Sequence, residues 1–415
     1  MRIDRLGDLG SFSAVLRAVG AATARLGLAP PAALSGDWFG SSAVIAPTLQ
    51  AQPTADVFDV VQAQVPAADG PAVGGGWIGY LSYPDAGAGA PAPRIPESAG
   101  GWTDCVLRLD RDGVWWFEDL TGAAMPEWLH DGLHTAAPAG RWHIDWAAPD
   151  RQAHQAGVLA CLEAIGAGEV YQACVCTQFT GAVTGRPLDF FADAVNQTSP
   201  AWAAFVAGSW GAVASLSPEL FLRRSGEKVW SSPIKGTLPL HADPELLRSS
   251  VKDVAENVMI VDLVRNDLGR VAVTGTVAVP ELLKVRAAPG VWHLVSTVIA
   301  QVPAGLPNRA LLEATFPPAS VTGTPKQRAR ELLSTWEPHR RGVYCGTVGL
   351  ASPVAGTELN VAIRTVEFDN AGTAVLGVGG GITADSDPAA EWNECLHKAA
   401  PTVGLRQPRD LSTAS

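Results

Sequence analysis

Apolar and polar residues alternate over short segments through most of the chain, a pattern typical of β-strands. Before residue 148 the alternation is found at 43–47, 76–83 and 105–119, and the last segment predicts a hairpin that turns at 111–113. Pro- and Ala-rich connectors at 66–75 and 85–96 separate these segments. The pattern therefore predicts antiparallel sheet in this part of the chain.

From Asp150 onward, long helices alternate with blocks of strands. A helix is predicted from the Asp150 cap to Gly166, where the apolar periodicity ends. Further helices are predicted at 245–268, 325–336 and 388–399, and strands at 168–179, 203–215, 219–224, 228–232, 271–286, 342–351, 359–368 and 373–378. Because the strands run in blocks rather than in strict β-α-β order, the sequence favours an α+β fold over a doubly wound parallel sheet.

Composition narrows the class of protein. The 415 residues include 41 acidic and 30 basic side chains, and the net charge of −11 argues against a nucleic-acid partner. No segment reaches the ~18 uncharged apolar residues of a membrane span, so no membrane partner is expected. Six cysteines are too few for a disulfide framework in a chain of this length, which predicts reduced thiols and a cytoplasmic location. Cys174 and Cys176 are expected to share one face of a strand.

Two predicted helices carry paired carboxylates. Asp253 and Glu256 are three residues apart, Glu391 and Glu394 repeat this spacing, and Lys398 follows one turn later. Carboxylate oxygens are the ligands that Mg²⁺ prefers. A solvated helix face with ion pairs explains the same spacing, and spacing alone favours that explanation.

Other candidate residues lie in uncharged surroundings. Lys235 is the single charge in SSPIKGTLP (231–239), a predicted turn in which apolar neighbours would ease the loss of its proton. The run Gly379 to Gly381 would let backbone amides approach an anion. Arg364 is predicted to project from a strand, and Tyr344 and His293 lie in similar apolar strings. Each feature alone is more often structural than catalytic.

Taken in order, these segments resemble the chorismate-utilising enzymes. The strings, within 150–402, are SPELFLRR, PIKGT, KDVAENVMIVDLVRNDLGR, SVTGTPKQRA, RRGVYCGTVG, LNVAIRT and GVGGGITADSDPAAEWNE. The resemblance implies two large antiparallel β-sheets packed as a sandwich, with helices outside. It also implies an N-terminal part at 1–148 that completes the sandwich, a chorismate-binding catalytic domain at 149–405 and a tail at 406–415. By the same resemblance, ALSGDWFG (33–40), which includes Ser35, is expected to correspond to a vestigial tryptophan-site region in the N-terminal part.

The resemblance also assigns roles to individual residues. The Mg²⁺ region comprises Asp253, Glu256, Glu391 and Glu394, with Glu256 and Glu394 as direct ligands. The substrate-binding residues are Tyr344, Arg364, Gly379, Gly380, Gly381, Ser320, Lys398 and Gln172. In the catalytic set, Glu219 is the general acid and Lys235 the nucleophile, while His293 and Thr237 lie beside the substrate.

Within the family, the PIKGT lysine resembles aminodeoxychorismate synthase component I, whereas anthranilate synthases usually carry alanine there. This likeness implies Mg²⁺-dependent amination of chorismate at C4 through a covalent Lys235 adduct, for p-aminobenzoate and folate synthesis. Gln172 stands where the water-using isochorismate and salicylate synthases place a lysine base, and an amide cannot deprotonate water. Ammonia is expected from a separate glutamine amidotransferase subunit. The alternatives are anthranilate synthase component I and a non-enzymatic homologue that binds chorismate or an aromatic amino acid.

Overall fold

All the strands that are arranged in a sheet belong to two antiparallel β-sheets in the computed structural model, which describes residues 1–60, 72–84, 92–288 and 291–407. The predicted connectors at 66–75 and 85–96 fall largely outside the described residues, as does the predicted tail at 406–415 beyond Gln407.

Strands occur both before and after residue 150. Those before residue 150 are β1 (Arg2–Gly7), β2 (Ala32–Gly36), β3 (Ala43–Ala46), β4 (Gln52–Pro53), β5 (Gly76–Leu81), β6 (Ser98–Thr103), β7 (Cys105–Leu109), β8 (Trp115–Asp119) and β9 (Trp142–Ala147). Those after it are β10 (Gln172–Gly185), β11 (Trp202–Gly208), β12 (Gly211–Ser217), β13 (Leu220–Ser225), β14 (Lys228–Ser232), β15 (Ile234–Pro239), β16 (Ala278–Ala288), β17 (Val291–Gln301), β18 (Gly323–Thr324), β19 (Thr347–Ser352), β20 (Gly356–Asn360), β21 (Thr365–Asp369) and β22 (Thr373–Ile382).

Polar caps fix the starts of several helices. The helices are α1 (Phe12–Leu26), α2 (Glu127–Leu133), α3 (Arg151–Gly166), α4 (Pro187–Thr198), α5 (Glu245–Ser249), α6 (Val251–Gly269), α7 (Asn308–Thr315), α8 (Lys326–Trp336) and α9 (Pro388–Val403). The Asp150 carboxylate accepts from the first amides of α3, and Asp387 does the same for α9. Within the described ranges, no helix is both long and apolar enough to cross a membrane.

Both parts of the chain contribute to each sheet. Within the described residues, the first sheet has 12 strands in the order β1-β8-β7-β3-β2-β11-β12-β21-β22-β10-β18, with β9 paired to β10. The second has 10 strands in the order β15-β17-β14-β13-β20-β19-β5-β6-β4, with β16 paired to β17. The N-terminal strands join the first sheet at β2 and β11, and they join the second at β5 and β19.

Alternating side chains of the first sheet separate two hydrophobic cores. On β11, Ala203 and Phe205 pack with residues of α1 and α4, whereas Ala204 and Val206 pack with Ile78 and other residues of the second sheet. The second core therefore lies between the sheets, and helices cover the outer face of the first sheet. This arrangement confirms the predicted α+β sandwich.

The structure confirms the predicted helix from Asp150 to Gly166 and the hairpin of β7 and β8. The single helix predicted at 245–268 is wrong, because Ser250 has an extended backbone and its hydroxyl caps a second helix by accepting from the Asp253 amide. The strand predicted at 271–286 begins only at Ala278, after a turn in which Gly275 has a φ of +82°.

Three further errors bear on the functional residues. The strand predicted at 359–368 is split, since β20 belongs to the second sheet and β21 to the first. Arg364 lies in the connection between them, with a φ of +50°, and not within a strand. Tyr344 lies in a turn before β19, where the adjacent Cys345 has a φ of +66°. The segment around Lys235 was predicted as a turn but forms β15.

Candidate active site

The predicted site residues converge where β10 and β22 of the first sheet approach β15 of the second, beneath α6 and α9. Strand pairing places Cys174 opposite Gly381 and Cys176 opposite Gly379. A β-carbon at Gly381 would overlap the Glu256 carboxylate of α6. A β-carbon at Gly379 would lie 2.6 Å from the Cys176 sulfur. The glycine run is therefore required for the close approach of α6 and β10 to β22.

Lys235 is nearly buried and ion-paired. Its Nζ lies 2.5 Å from Oε1 of Glu256, and 11% of its side chain is exposed. Burial alone would lower the pKa of Lys235, but the adjacent Glu256 carboxylate raises it above its ordinary value. The expectation that apolar surroundings ease proton loss is therefore wrong for this state of the protein.

Lysines also pair with the two carboxylates of α9. Lys252 of α6 donates to Glu391 Oε1 at 2.8 Å, and Lys398 donates to Glu394 Oε1 at 2.7 Å. Lys398 also donates to the carbonyl oxygen of Gly379 at 3.0 Å. The two glutamates of α9 therefore both lie at the site, and each of them has a lysine partner.

Glu219 lies between β12 and β13, where it is almost completely buried. Burial raises the pKa of its carboxyl to about 7, against the opposing effects of the Ser320 hydroxyl, which hydrogen-bonds to it, and of Lys235. A carboxyl with this pKa holds its proton for part of the time at neutral pH. It can therefore act as an acid, the role that the resemblance implies.

His293, Thr237 and Arg364 form a second group beside Lys235. Thr237 of β15 lies opposite His293 of β17, and the Thr237 hydroxyl is 2.9 Å from His293 Nδ1. Burial and the nearby Arg364 cation lower the pKa of His293 to about 4. The imidazole is therefore neutral at physiological pH, and its buried Nε2 has no hydrogen-bond partner.

Tyr344 and Gln172 complete the predicted set. The ring of Tyr344 lies against β22, where a β-carbon at Gly377 would overlap it. Gln172 begins β10, is 1% exposed, and has no hydrogen-bond partner for either amide atom. Its Oε1 lies 3.2 Å from the position of a β-carbon at Gly381. Unsatisfied buried polar atoms are rare, so this amide is expected to receive a ligand group.

The carboxylate oxygens of the site are chemically suitable ligands for Mg²⁺, but these carboxylates do not form one cluster. Glu256, Glu391 and Glu394 supply only oxygen atoms, and Oε2 of Glu391 is buried without a hydrogen-bond partner. Asp253 lies one turn before Glu256, with its Cβ 3.1 Å from the position of a β-carbon at Gly236. In the part of the chain that the structure describes, no three His, Cys, Asp or Glu side chains form a cluster that could hold a metal ion. A metal would have to displace lysines from these carboxylates.

Two residues of this site, Lys252 and Ser386, were not among those predicted from the sequence. Lys252 is four residues before Glu256, a spacing that suggests an intrahelical pair, but it bonds Glu391 of another helix. Ser386 donates to the same Glu391 oxygen at 2.6 Å. Ser386 directly precedes the Asp387 cap of α9, and this position in the sequence could have indicated that it lies near Glu391.

Comparison with known proteins agrees with these observations. The chain matches the family described as chorismate binding enzyme over residues 37–404. It is 44% identical to aminodeoxychorismate synthase component 1 of Klebsiella aerogenes over 315 residues, which are 74% of this chain and 70% of that protein. It is 43% identical to aminodeoxychorismate synthase component 1 of Escherichia coli (strain K12) over 244 residues, 57% of this chain. That match spans only 53% of the E. coli protein.

A solved structure supports the same fold. Anthranilate synthase component I from Streptococcus pneumoniae TIGR4 superimposes with a TM-score of 0.73 at 26% identity, covering 84% of each chain. Together with the match over most of its length, this likeness establishes that the chain belongs to the family of chorismate binding enzymes.

Proposed function

We propose that the chain is the chorismate-aminating component of an aminodeoxychorismate synthase, which converts chorismate and ammonia into 4-amino-4-deoxychorismate. The main support is Lys235, a nearly buried amine that interacts electrostatically with the acid Glu219 and lies in contact with the acidic residue Glu256. A nucleophile and a proton donor thus lie in one site. Relatives with 43% and 44% identity bear the name aminodeoxychorismate synthase component 1.

Chorismate carries two carboxylates, and the site offers separate groups for each. Arg364 and Tyr344, with the backbone of Gly379 and Gly381, are proposed to hold the enolpyruvyl carboxylate. A guanidinium suits a carboxylate because it can donate two parallel hydrogen bonds. The neutral His293 keeps its Nε2 available for an uncharged hydrogen bond to the substrate.

The ring carboxylate is proposed to lie by the acidic face of α6 and α9. Glu256 and Glu394 would be the direct ligands of Mg²⁺, with Asp253 and Glu391 supporting them. When bound, Mg²⁺ supplies positive charge for the ring carboxylate of the substrate. Lys398 is held at the same place by Glu394 and by the Gly379 carbonyl, so it can contribute a second cation.

Lys235 and Glu219 would perform the chemistry in two displacements. After parting from Glu256 and releasing a proton to solvent, the Lys235 amine attacks C2 as the C4–O bond breaks and both conjugated ring double bonds shift. Glu219 gives its proton to the departing hydroxyl, which leaves as water. Ammonia then adds at C4, both double bonds shift back as the bond between C2 and lysine breaks, and the amine of Lys235 is restored. The product amine keeps the extra proton, and Glu219 regains its own from solvent.

Ammonia is favoured over water as the second nucleophile. Gln172 is the polar side chain at the start of β10, and an amide does not take a proton from water at neutral pH. Ammonia needs no such base, because neutral ammonia is a much stronger nucleophile than neutral water.

The ammonia is proposed to come from a glutamine amidotransferase subunit. The names of the relatives refer to a component 1, which implies a second component. A cytoplasmic location is part of the proposal. It is supported by the six cysteines, all within the described residues, which are free thiols.

The proposal is tested with the purified chain, chorismate, Mg²⁺ and an ammonium salt. Products are treated with aminodeoxychorismate lyase and separated by chromatography. We expect p-aminobenzoate, formed only when both ammonium and lyase are present. Lys284→Ala, which removes an exposed surface lysine, serves as a control and should behave like the wild type. Anthranilate formed without the lyase would instead identify an anthranilate synthase.

A further inference from the structure

Lys252 forms an ion pair that ties the two acidic helices together. Its Nζ lies 2.8 Å from Oε1 of Glu391, which is 139 residues further along the chain. The two partners differ in their surroundings, since 40% of the Lys252 side chain is exposed but only 3% of the Glu391 side chain. The lysine can therefore move into solvent, whereas the carboxylate cannot.

Glu391 is incompletely satisfied in this arrangement. Its Oε1 accepts from both Lys252 and the Ser386 hydroxyl, while the buried Oε2 has no hydrogen-bond partner. That second oxygen lies 3.1 Å from the position of a β-carbon at Gly380, so it faces the glycine run of the candidate site. A buried carboxylate oxygen without a partner is costly, and a cation that enters the site would relieve that cost.

Lysine charge partly balances the acidic face. Lys235, Lys252 and Lys398 pair with Glu256, Glu391 and Glu394, so three of the four carboxylates of the acidic face have a lysine partner. A divalent cation that approaches this face meets a weakened attraction, because these three carboxylates are already compensated. Lys252 and Lys398 are both partly exposed, but Lys398 also donates to the Gly379 carbonyl oxygen, so Lys252 can leave its glutamate at the lower cost.

We propose that Lys252 is a positioning residue that competes with the divalent cation for Glu391 and thereby lowers the affinity of the site for the metal. This inference rests on the proposed function only in placing the cation at the acidic face. Removal of the Lys252 charge leaves Glu391 buried and uncompensated, so Glu391 will attract a divalent cation more strongly. A lysine that only ties α6 to α9 would have the opposite effect, since its loss would loosen the carboxylates.

The test measures metal binding by the full chain without chorismate. Mg²⁺ affinity is determined by isothermal titration calorimetry, and Mn²⁺ affinity by electron paramagnetic resonance. Lys252→Met should bind either ion at least about tenfold more tightly than the wild type, a difference of ~1.4 kcal/mol. Lys252→Arg, which keeps the charge, should stay within about twofold of the wild type. Lys284→Met, which removes a surface lysine that is 54% exposed, should leave the affinity unchanged.

A double mutant separates competition from general electrostatics. Glu391→Gln removes the carboxylate for which lysine and metal compete, so adding Lys252→Met to it should give no further gain in affinity. Unchanged or weaker metal binding by Lys252→Met in a folded protein would overturn the proposal, as would an equal gain in the Glu391→Gln background. Because chorismate is absent, an unexpected product in the amination assay leaves this result intact. A lack of metal binding in every variant would reject the metal site itself.

Discussion

Replacement of Glu219 by glutamine should make the protein more stable and less active, and both effects should depend on pH. Burial holds the carboxyl pKa at about 7 instead of 4.5. Each tenfold change in an ionisation equilibrium corresponds to ~1.4 kcal/mol, so ionised Glu219 costs the folded chain roughly 3 kcal/mol relative to the unfolded chain. Glutamine has the same shape and no charge.

The sign follows from the raised pKa. Below about pH 4.5 the carboxyl is protonated in both folded and unfolded chains, and its stabilising contribution is fully present. As the pH rises towards and through about 7, the unfolded chain releases this proton first, and the wild type loses the roughly 3 kcal/mol. Glu219→Gln avoids that loss, so its advantage in the free energy of unfolding should be near zero at pH 4.5 and greatest above pH 7.5.

Denaturant unfolding of wild type and Glu219→Gln between pH 4.5 and 8.5 measures this difference directly. Glu245→Gln, at a glutamate whose side chain is 67% exposed, is the control and should show no such trend. Amination by the wild type should also decline above about pH 7, as the acid loses its proton, and Glu219→Gln should lower kcat by about a hundredfold or more. A stability difference that is constant across the pH range would refute the buried-acid argument.

Three further results are expected. Lys235→Ala should abolish amination at C4. It should also lower the Tm, because Glu256 is then buried without its lysine. Normal C4 amination by this variant would rule out Lys235 as the nucleophile. Glu256→Gln and Glu394→Gln should each remove the Mg²⁺ dependence of activity, measured by titration with the metal, and dependence that persists in both would exclude them as ligands. Tryptophan should give no binding heat in calorimetric titration. The reason is that the chain's own Trp38 is buried in the 33–40 stretch, where it donates to the Ala203 carbonyl oxygen at 2.9 Å. Tight binding of tryptophan would instead show a working effector site.

Local sequence patterns predicted the fold class and several local elements correctly. The Asp150 cap and the hairpin of β7 and β8 depend on neighbouring residues, and both were correct. Cys174 and Cys176 share one face of β10, as their spacing predicted, with their sulfur atoms 3.9 Å apart. Such features are determined within a few residues, so a single sequence is sufficient to find them.

Features that depend on distant parts of the chain could not be predicted. Alternation at 359–368 shows that each part can form a strand, but not that β20 and β21 join different sheets with Arg364 between them. Lys235 looked isolated because its partner Glu256 lies 21 residues later. The order of strands in the sandwich decides which residues meet, and that order cannot be read from periodicity.

The position of the new nitrogen in the product distinguishes amination at C4 from amination at C2. Wild type and Lys235→Ala are each incubated with chorismate, Mg²⁺ and ¹⁵N-ammonium, and the unpurified product is examined by nuclear magnetic resonance. We expect the wild type to place ¹⁵N on C4 with retention of configuration, and Lys235→Ala to form no C4 amine. A ¹⁵N label on C2 of the wild-type product, or an undiminished C4 amine from Lys235→Ala, would contradict this expectation.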